Sequence, residues 1–349
     1  METFLQDEER AAGAAFAESD GCVLPATFGG FEVEYRAARE AAALFDTNWH
    51  ATFVLTGPDR ARYLNAVVSN NVQGLAEGSG TLALLLNPQG RILAELEILR
   101  RPEQLVVRTH ASARERTRET LEKYIIMDDV ELADASDTTG SLAVEGPRAA
   151  AIIQEACGLV IEELPALSTR DVRVEQIACQ AVVKSQFGLP GAEFIARPEE
   201  LRLLWGKMLA AVRAHGGQAM GMRALDALRL EAGIPWFPAD FNDTVIPHEA
   251  ALEETHISFS KGCYTGQEIV ERVRSRGQVN RRRVRLKFSG SEPPARGTRL
   301  FAEGKEIGLV TSAEFSPREE TPIGMGYVRR EQTTAGSVVE FEGGTAQVV

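Results

Sequence analysis

The densest run of chemistry-bearing side chains is Ser260-Lys-Gly-Cys-Tyr-Thr-Gly-Gln-Glu-Ile-Val270, where glycines flank a thiol, a phenol, an amide and a carboxylate. Gly262 and Gly266 would let backbone approach a ligand or another lobe. Lys261 and the arginines downstream make the surroundings of Cys263 electropositive, which favours a thiolate there. The same residues also read as a glycine-punctuated turn into a helix, with Cys263 a small buried hydrophobe. A second candidate is Arg223, Asp226 and Arg229, spaced to pair along the solvated side of a helix whose Leu225, Leu228 and Ala232 face a core. A third is the glycine loop Phe187-Gly-Leu-Pro-Gly-Ala-Glu-Phe194, which runs into a strand starting with the carboxylate of Glu193.

Other standard constellations are missing from the sequence. There is no GxGxxG opening a helix after a strand, no GxxxxGK[ST] and no GxSxG, which argues against a Rossmann dehydrogenase, a P-loop NTPase and an α/β-hydrolase. Cys22, Cys157, Cys179 and Cys263 form no CxxC, the five histidines are scattered, and no metal site is expected. Four dispersed cysteines suit a reducing cytosol.

The elements that must position these residues alternate between helix and strand for two thirds of the chain. Tyr35–Phe45 is alanine-rich and reads as helix. Thr52–Leu55 is a short strand, and Gly57-Pro58 opens a helix with proline preset at its first turn. From Ile92 to Leu99 the pattern has period two, giving a strand with Glu95 and Glu97 on one face. Leu105–Val107 looks like its neighbour and Ala111–Ile126 like the helix that follows. Phe53-Val-Leu-Thr-Gly-Pro-Asp-Arg-Ala returns 89 residues later as Leu142-Ala-Val-Glu-Gly-Pro-Arg-Ala-Ala, each a strand, Gly-Pro and a helix. This weak repeat suggests two related α+β lobes. Val172–Phe187 reads as strands, Glu199–His215 as helix, and Gly221–Ala232 as a helix stopped at Gly233. Beyond a boundary near Asn280, short β-like pieces separated by Gly, Pro and Ser point to a small all-β domain.

With 349 residues, 44% hydrophobic and 25% charged, the chain has the make-up of a globular protein of two or three domains. No apolar run approaches a membrane span, and the acidic N-terminus carries no evident secretory signal. A net charge of −12 makes broad nucleic-acid or anionic-membrane binding unexpected. One window departs from this balance: Arg272 to Lys287 holds seven arginines and a lysine with no acid.

Lys261-Gly-Cys-Tyr-Thr-Gly-Gln-Glu268 resembles the signature of folate-binding YgfZ-type proteins, linked to maintenance of iron–sulfur enzymes. Arg229-Leu-Glu-Ala-Gly-Ile-Pro235 is similar to a segment of their relatives, the aminomethyltransferases (T-proteins) of the glycine cleavage system. Tyr35-Arg-Ala-Ala-Arg-Glu-Ala-Ala-Ala-Leu-Phe-Asp46, Leu55-Thr-Gly-Pro-Asp59 and Leu84-Leu-Leu-Asn-Pro-Gln-Gly-Arg-Ile92 resemble the same superfamily, in the expected order from about residue 30 to 290.

The resemblance implies an α+β cloverleaf: two related α+β lobes and a C-terminal antiparallel β-barrel around a central folate channel. It places residues 1–50 and 141–250 in a discontinuous first lobe. Residues 51–140 form the second, with 251–280 packing as linker and helix, and 281–349 form the barrel. It implies that Glu193 takes the pterin, a task suited to a carboxylate that accepts two parallel N–H bonds. Arg229, Tyr264, Gln267 and Arg272 are further cofactor-binding candidates, and Glu95 and Cys263 the catalytic ones. The octapeptide favours a tetrahydrofolate-binding protein that supports iron–sulfur cluster assembly through the Cys263 thiol, with iron–sulfur client or assembly proteins as partners. The alternative is aminomethyl transfer, which needs a lipoyl carrier protein; a folate-independent scaffold is third. The arginine window would hold a polyglutamate tail or form an ion-paired seam between domains. Two departures bear on the choice. T-proteins carry an Asp-Asp pair where this chain has Ala94-Glu95, so the carboxylate is extended by roughly 1.5 Å. Gln186 stands where their motif has a tyrosine.

Overall fold

The computed structural model describes residues 2–349. It is a mixed α+β molecule of two sheet-bearing lobes and a closed barrel. One sheet has six strands in the order Thr169–Val174, Ile177–Val183, Gly191–Ala196, Gly140–Glu145, Ala43–Asp46 and Gln218–Ala219, all antiparallel except the last pair. The other has five antiparallel strands, ordered Gly80–Leu86, Ile92–Arg100, Leu105–His110, His50–Thr56 and Glu131–Asp134. The six-stranded sheet therefore draws its strands from both sides, in sequence, of the five-stranded one. Six strands between Arg281 and Val348 close the antiparallel barrel.

The period-two strand is present as Ile92–Arg100, with Ile92, Ala94, Leu96 and Ile98 fully buried. The internal repeat has a shared geometry. His50–Thr56 leads into the helix Arg60–Val67, and Gly140–Glu145 into the helix Ala149–Cys157. Gly57 and Gly146 make the turn in each copy at positive φ, where an added Cβ would lie 2.2 Å from the Asp129 carbonyl oxygen and 2.6 Å from Ala42 Cα. The helix Met222–Ala232 stops at Gly233, whose φ of 74° is left-handed.

The alanine-rich run differs from its reading as one helix. The helix is Phe31–Glu40, and Ala43–Asp46 is a strand. Alanine favours helix only weakly, and here pairing with Gly140–Glu145 and Gln218–Ala219 prevails, burying Leu44 and Phe45. The helix expected over Ala111–Ile126 begins as a 3₁₀ turn, Ala111–Ala113, and continues as Arg114–Tyr124.

Much of the arginine window is a seam rather than an open anion site. On the first barrel strand, Arg281 pairs with Glu249 at 3.3 Å and Arg282 with Glu253 at 3.0 Å. Arg283 donates to the Ala250 carbonyl and Arg285 to that of Glu231. These contacts stitch the barrel to the lobes. Arg272 sits outside the seam, exposed on the helix Gln267–Arg276. Among the described residues no helix is long and apolar enough to cross a membrane.

Candidate active site

A cavity of about 170 Å³ lies where the two sheets and the segment after Gly233 converge. The strands Ile92–Arg100 and Leu105–His110 supply its polar wall. Glu97 and Arg108 are cross-strand partners, and Arg108 Nη1 donates to Glu97 Oε1 at 2.9 Å. Lys184, just beyond the strand Ile177–Val183, donates to Glu97 Oε2 at 2.6 Å. Arg108 Nη2 reaches Glu193 and donates to Ser141 Oγ at 2.9 Å. Arg108 and Glu193 are each about 1% exposed. Two cations thus face two carboxylates, and the cluster is neutral. Burial alone would raise Glu97 and Glu193, but Lys184 and Arg108 outweigh it and hold both below the ordinary carboxylate range.

Aromatic side chains line a further part of the cavity. The Trp49 and Trp236 rings lie 5.4 Å apart, and Phe237 adds a third face. Arg229 does not line this cavity; it supports the wall from behind. Its guanidinium pairs with Asp240, donates to the Ile234 carbonyl at 3.3 Å and sits 5.3 Å from the Trp236 ring centre. Asp240 in turn accepts from Thr311 and Ser312 of the barrel, both at 2.6 Å, so the barrel holds the tryptophan wall in place.

Glu95 lines the cavity two residues before Glu97. His256 Nε2 lies 2.8 Å from its Oε1, and His256 Nδ1 lies 2.7 Å from Thr255 Oγ1. The extra methylene of Glu95 is therefore pinned by a buried histidine. At the same wall His50 and His110 stay neutral, burial pushing them down to about 3 and about 4, with the Arg108 charge adding to the effect at His50.

Of the residues expected at the site, Glu95 alone lines the cavity. Glu193 is behind Arg108, where Thr47 Oγ1 also donates to it at 2.8 Å. The octapeptide lies apart and does structural work. Lys261 Nζ donates to the carbonyls of Asn65 and Val68, capping the helix Arg60–Val67, and stands 4.7 Å from the Tyr264 ring centre. Tyr264 is buried in the core of the five-stranded lobe. Gly266 is left-handed, and a Cβ there would lie 2.6 Å from the Asn87 carbonyl oxygen. Gln267 begins the following helix. Cys263 is exposed rather than buried. The residues missed from sequence are Glu97, Arg108, Lys184, His50, Trp49 and Trp236. Arg108 carried one usable signal: Val106, Arg108 and His110 share a face of an apolar strand, an unusual place for a cation.

Residues 5–261 match the GCVT N-terminal domain, and residues 281–348 match the glycine cleavage T-protein C-terminal barrel domain. The chain belongs to the GCVT family. Among curated GCVT relatives, the aminomethyltransferase of Rubrobacter xylanophilus is 29% identical across 94% of this chain and 87% of its own. That of Geobacillus sp. (strain WCH70) is 26% identical across 95% and 91%. The crystal structure of glycine cleavage system aminomethyltransferase T from Bartonella henselae superposes with a TM-score of 0.90 at 26% identity, covering 100% of this chain and 96% of that one. These relatives overturn the leading expectation of an iron–sulfur maintenance protein acting through Cys263. They are aminomethyltransferases over almost their whole length, and the thiol meant to carry that role lies off the cavity.

Proposed function

We propose that the protein is a folate-dependent aminomethyltransferase that takes its aminomethyl group from a lipoyl carrier protein and releases ammonia. The observation that carries this reading is the cavity itself. It sets a carboxylate, Glu95, on the wall of a cleft that also has a tryptophan face and a charged edge. Buried polar atoms without partners on its lining residues support a ligand with a polar edge: Arg108 Nε, Thr109 Oγ1 and Gln186 Nε2. A pterin fits this set, its flat face against Trp49 and Trp236 and its polar edge toward Glu97, Lys184 and Gln186.

Tetrahydrofolate supplies the two nitrogens that accept the one-carbon unit, and the freed carrier regains its thiol. His256 occupies Oε1 of Glu95 and leaves Oε2 for the ligand. Glu95 Oε2 takes the proton that the attacking folate nitrogen gives up and passes it to the departing amine, a general acid–base relay worth about 100-fold or more. Conversion of tetrahydrofolate to its 5,10-methylene form, only when aminomethylated carrier is supplied, is the test. No conversion under those conditions removes the reading.

A further inference from the structure

We infer that the polar edge of the folate is read by Glu97, Lys184 and Gln186, and that Glu193 is sealed off by Arg108 as a structural counter-ion. The inference rests on the folate reading above and assigns residues within it. Glu193 Oε1 is held by Arg108 Nη2 and Thr47 Oγ1; its Oε2 is buried with no hydrogen-bond partner, and the Lys184 ammonium stands 3.8 Å from it. Its side chain is 1% exposed and lies off the cavity wall. A pterin at Glu193 would have to displace Arg108 from Oε1 or Lys184 from beside Oε2, which would leave buried charges unpaired.

Glu97 is one layer nearer the cavity and does line it. Each carboxylate oxygen has one cation, Arg108 or Lys184, and each retains a lone pair for a further donor. An aminopyrimidinone edge offers such donors, a ring N–H and an exocyclic amine, beside a carbonyl that needs them. Lys184 has two N–H bonds beyond the one given to Glu97, and Gln186 has an Nε2 with no partner. One acceptor flanked by two donors matches that edge.

The loop carrying Gln186 is built to hold it still. Glu145 accepts from Ser185 Oγ and from the backbone N–H groups of Gln186, Phe187 and Leu189, at 2.6 to 3.1 Å. A backbone held this firmly, carrying an unsatisfied amide on a cavity-lining residue, presents that amide to a ligand atom.

The test is calorimetric titration of the whole protein with tetrahydrofolate and with its 4-amino analogue, in which a donor replaces the carbonyl. For Gln186→Leu the affinity for tetrahydrofolate is expected to fall about 10-fold, and for Lys184→Met by at least as much. Glu193→Gln should stay within about 3-fold of the parent. The parent should prefer the 4-oxo form, and Gln186→Leu should lose most of that preference. Wild-type affinity and unchanged preference in Gln186→Leu would overturn the assignment, and so would loss of binding confined to Glu193→Gln. Gln186→Leu removes an atom that has no partner, so it keeps the test decisive should Glu193→Gln fail to fold. If the parent binds neither compound, the folate reading itself fails, an outcome distinct from all of these.

Discussion

Glu97 and Arg108 face each other across neighbouring strands, 4% and 1% exposed, in a 2.9 Å ion pair that also anchors Lys184 and Glu193. Replacing one cation therefore strands more than one carboxylate. Arg108→Met is expected to destabilise the fold by about 3–5 kcal/mol, the usual cost of breaking a buried pair from one side. Urea unfolding at pH 7.5 measures it. Arg108→Lys should recover only part of the loss, because a point charge cannot span Glu97 and Glu193 as the guanidinium fork does.

His50 and His110 should cost stability in acid before the depressed carboxyls of the same cluster do. His50 and His110 are held neutral, with folded values of about 3 and about 4 against an ordinary 6.5. At these two sites the unfolded chain takes up protons first as pH falls through 6.5, and their contribution to stability declines with it. The expected loss is on the order of 1 kcal/mol per histidine by pH 5.5. The depressed carboxyls of Glu97 and Glu193 add a further loss only below pH 4.5, as pH falls toward their folded values. Unfolding free energies of the parent and of His50→Gln at pH 7.5, 5.5, 4.5 and 3.5 separate the two phases, the His50 part being what the variant lacks.

Glu9 behaves in the opposite sense. It is fully buried, and burial followed by the neighbouring Asp46 raises its carboxyl far above the ordinary value. A raised carboxyl favours the fold only while protonated, so this site loses stability as pH rises above 4.5. Glu9→Gln keeps the donor without the proton cost. It should raise the melting temperature by several degrees at pH 8 and by little at pH 4.5. Thermal unfolding at the two values checks the prediction.

Lys261 and Cys263 stand two residues apart and should respond differently. Lys261→Met removes two bonds to the end of the helix Arg60–Val67 and should cost about 1–2 kcal/mol. Cys263→Ser, at an exposed position, should change stability by less than about 0.5 kcal/mol and leave tetrahydrofolate affinity unchanged. Chemical denaturation of both variants, with calorimetry on the second, decides between structural and chemical roles for the octapeptide.

Local patterns were readable wherever one element's own periodicity decided the outcome. The strand bearing Glu95 and Glu97, the stop at Gly233 and the all-β tail are of this kind. The strand Ala43–Asp46 was not, because its partners lie about 100 and 175 residues away and no feature of Ala42-Ala43-Leu44 announces them. The site suffered for the same reason. Arg108, Lys184 and Trp236 gain meaning only where two sheets and a barrel-braced segment meet. Lys261, Cys263 and Tyr264 lie off the cavity, and glycine-flanked polar residues serve a helix cap as well as they serve a catalytic loop.

The most direct test of aminomethyl transfer is ammonia release in a single turnover, with enzyme in excess over an aminomethylated lipoyl carrier protein. One equivalent of ammonia per carrier is expected, dependent on tetrahydrofolate, with a rate lowered about 100-fold or more in Glu95→Ala. Ammonia released no faster than without enzyme, or a Glu95→Ala rate equal to the parent's, would contradict this expectation.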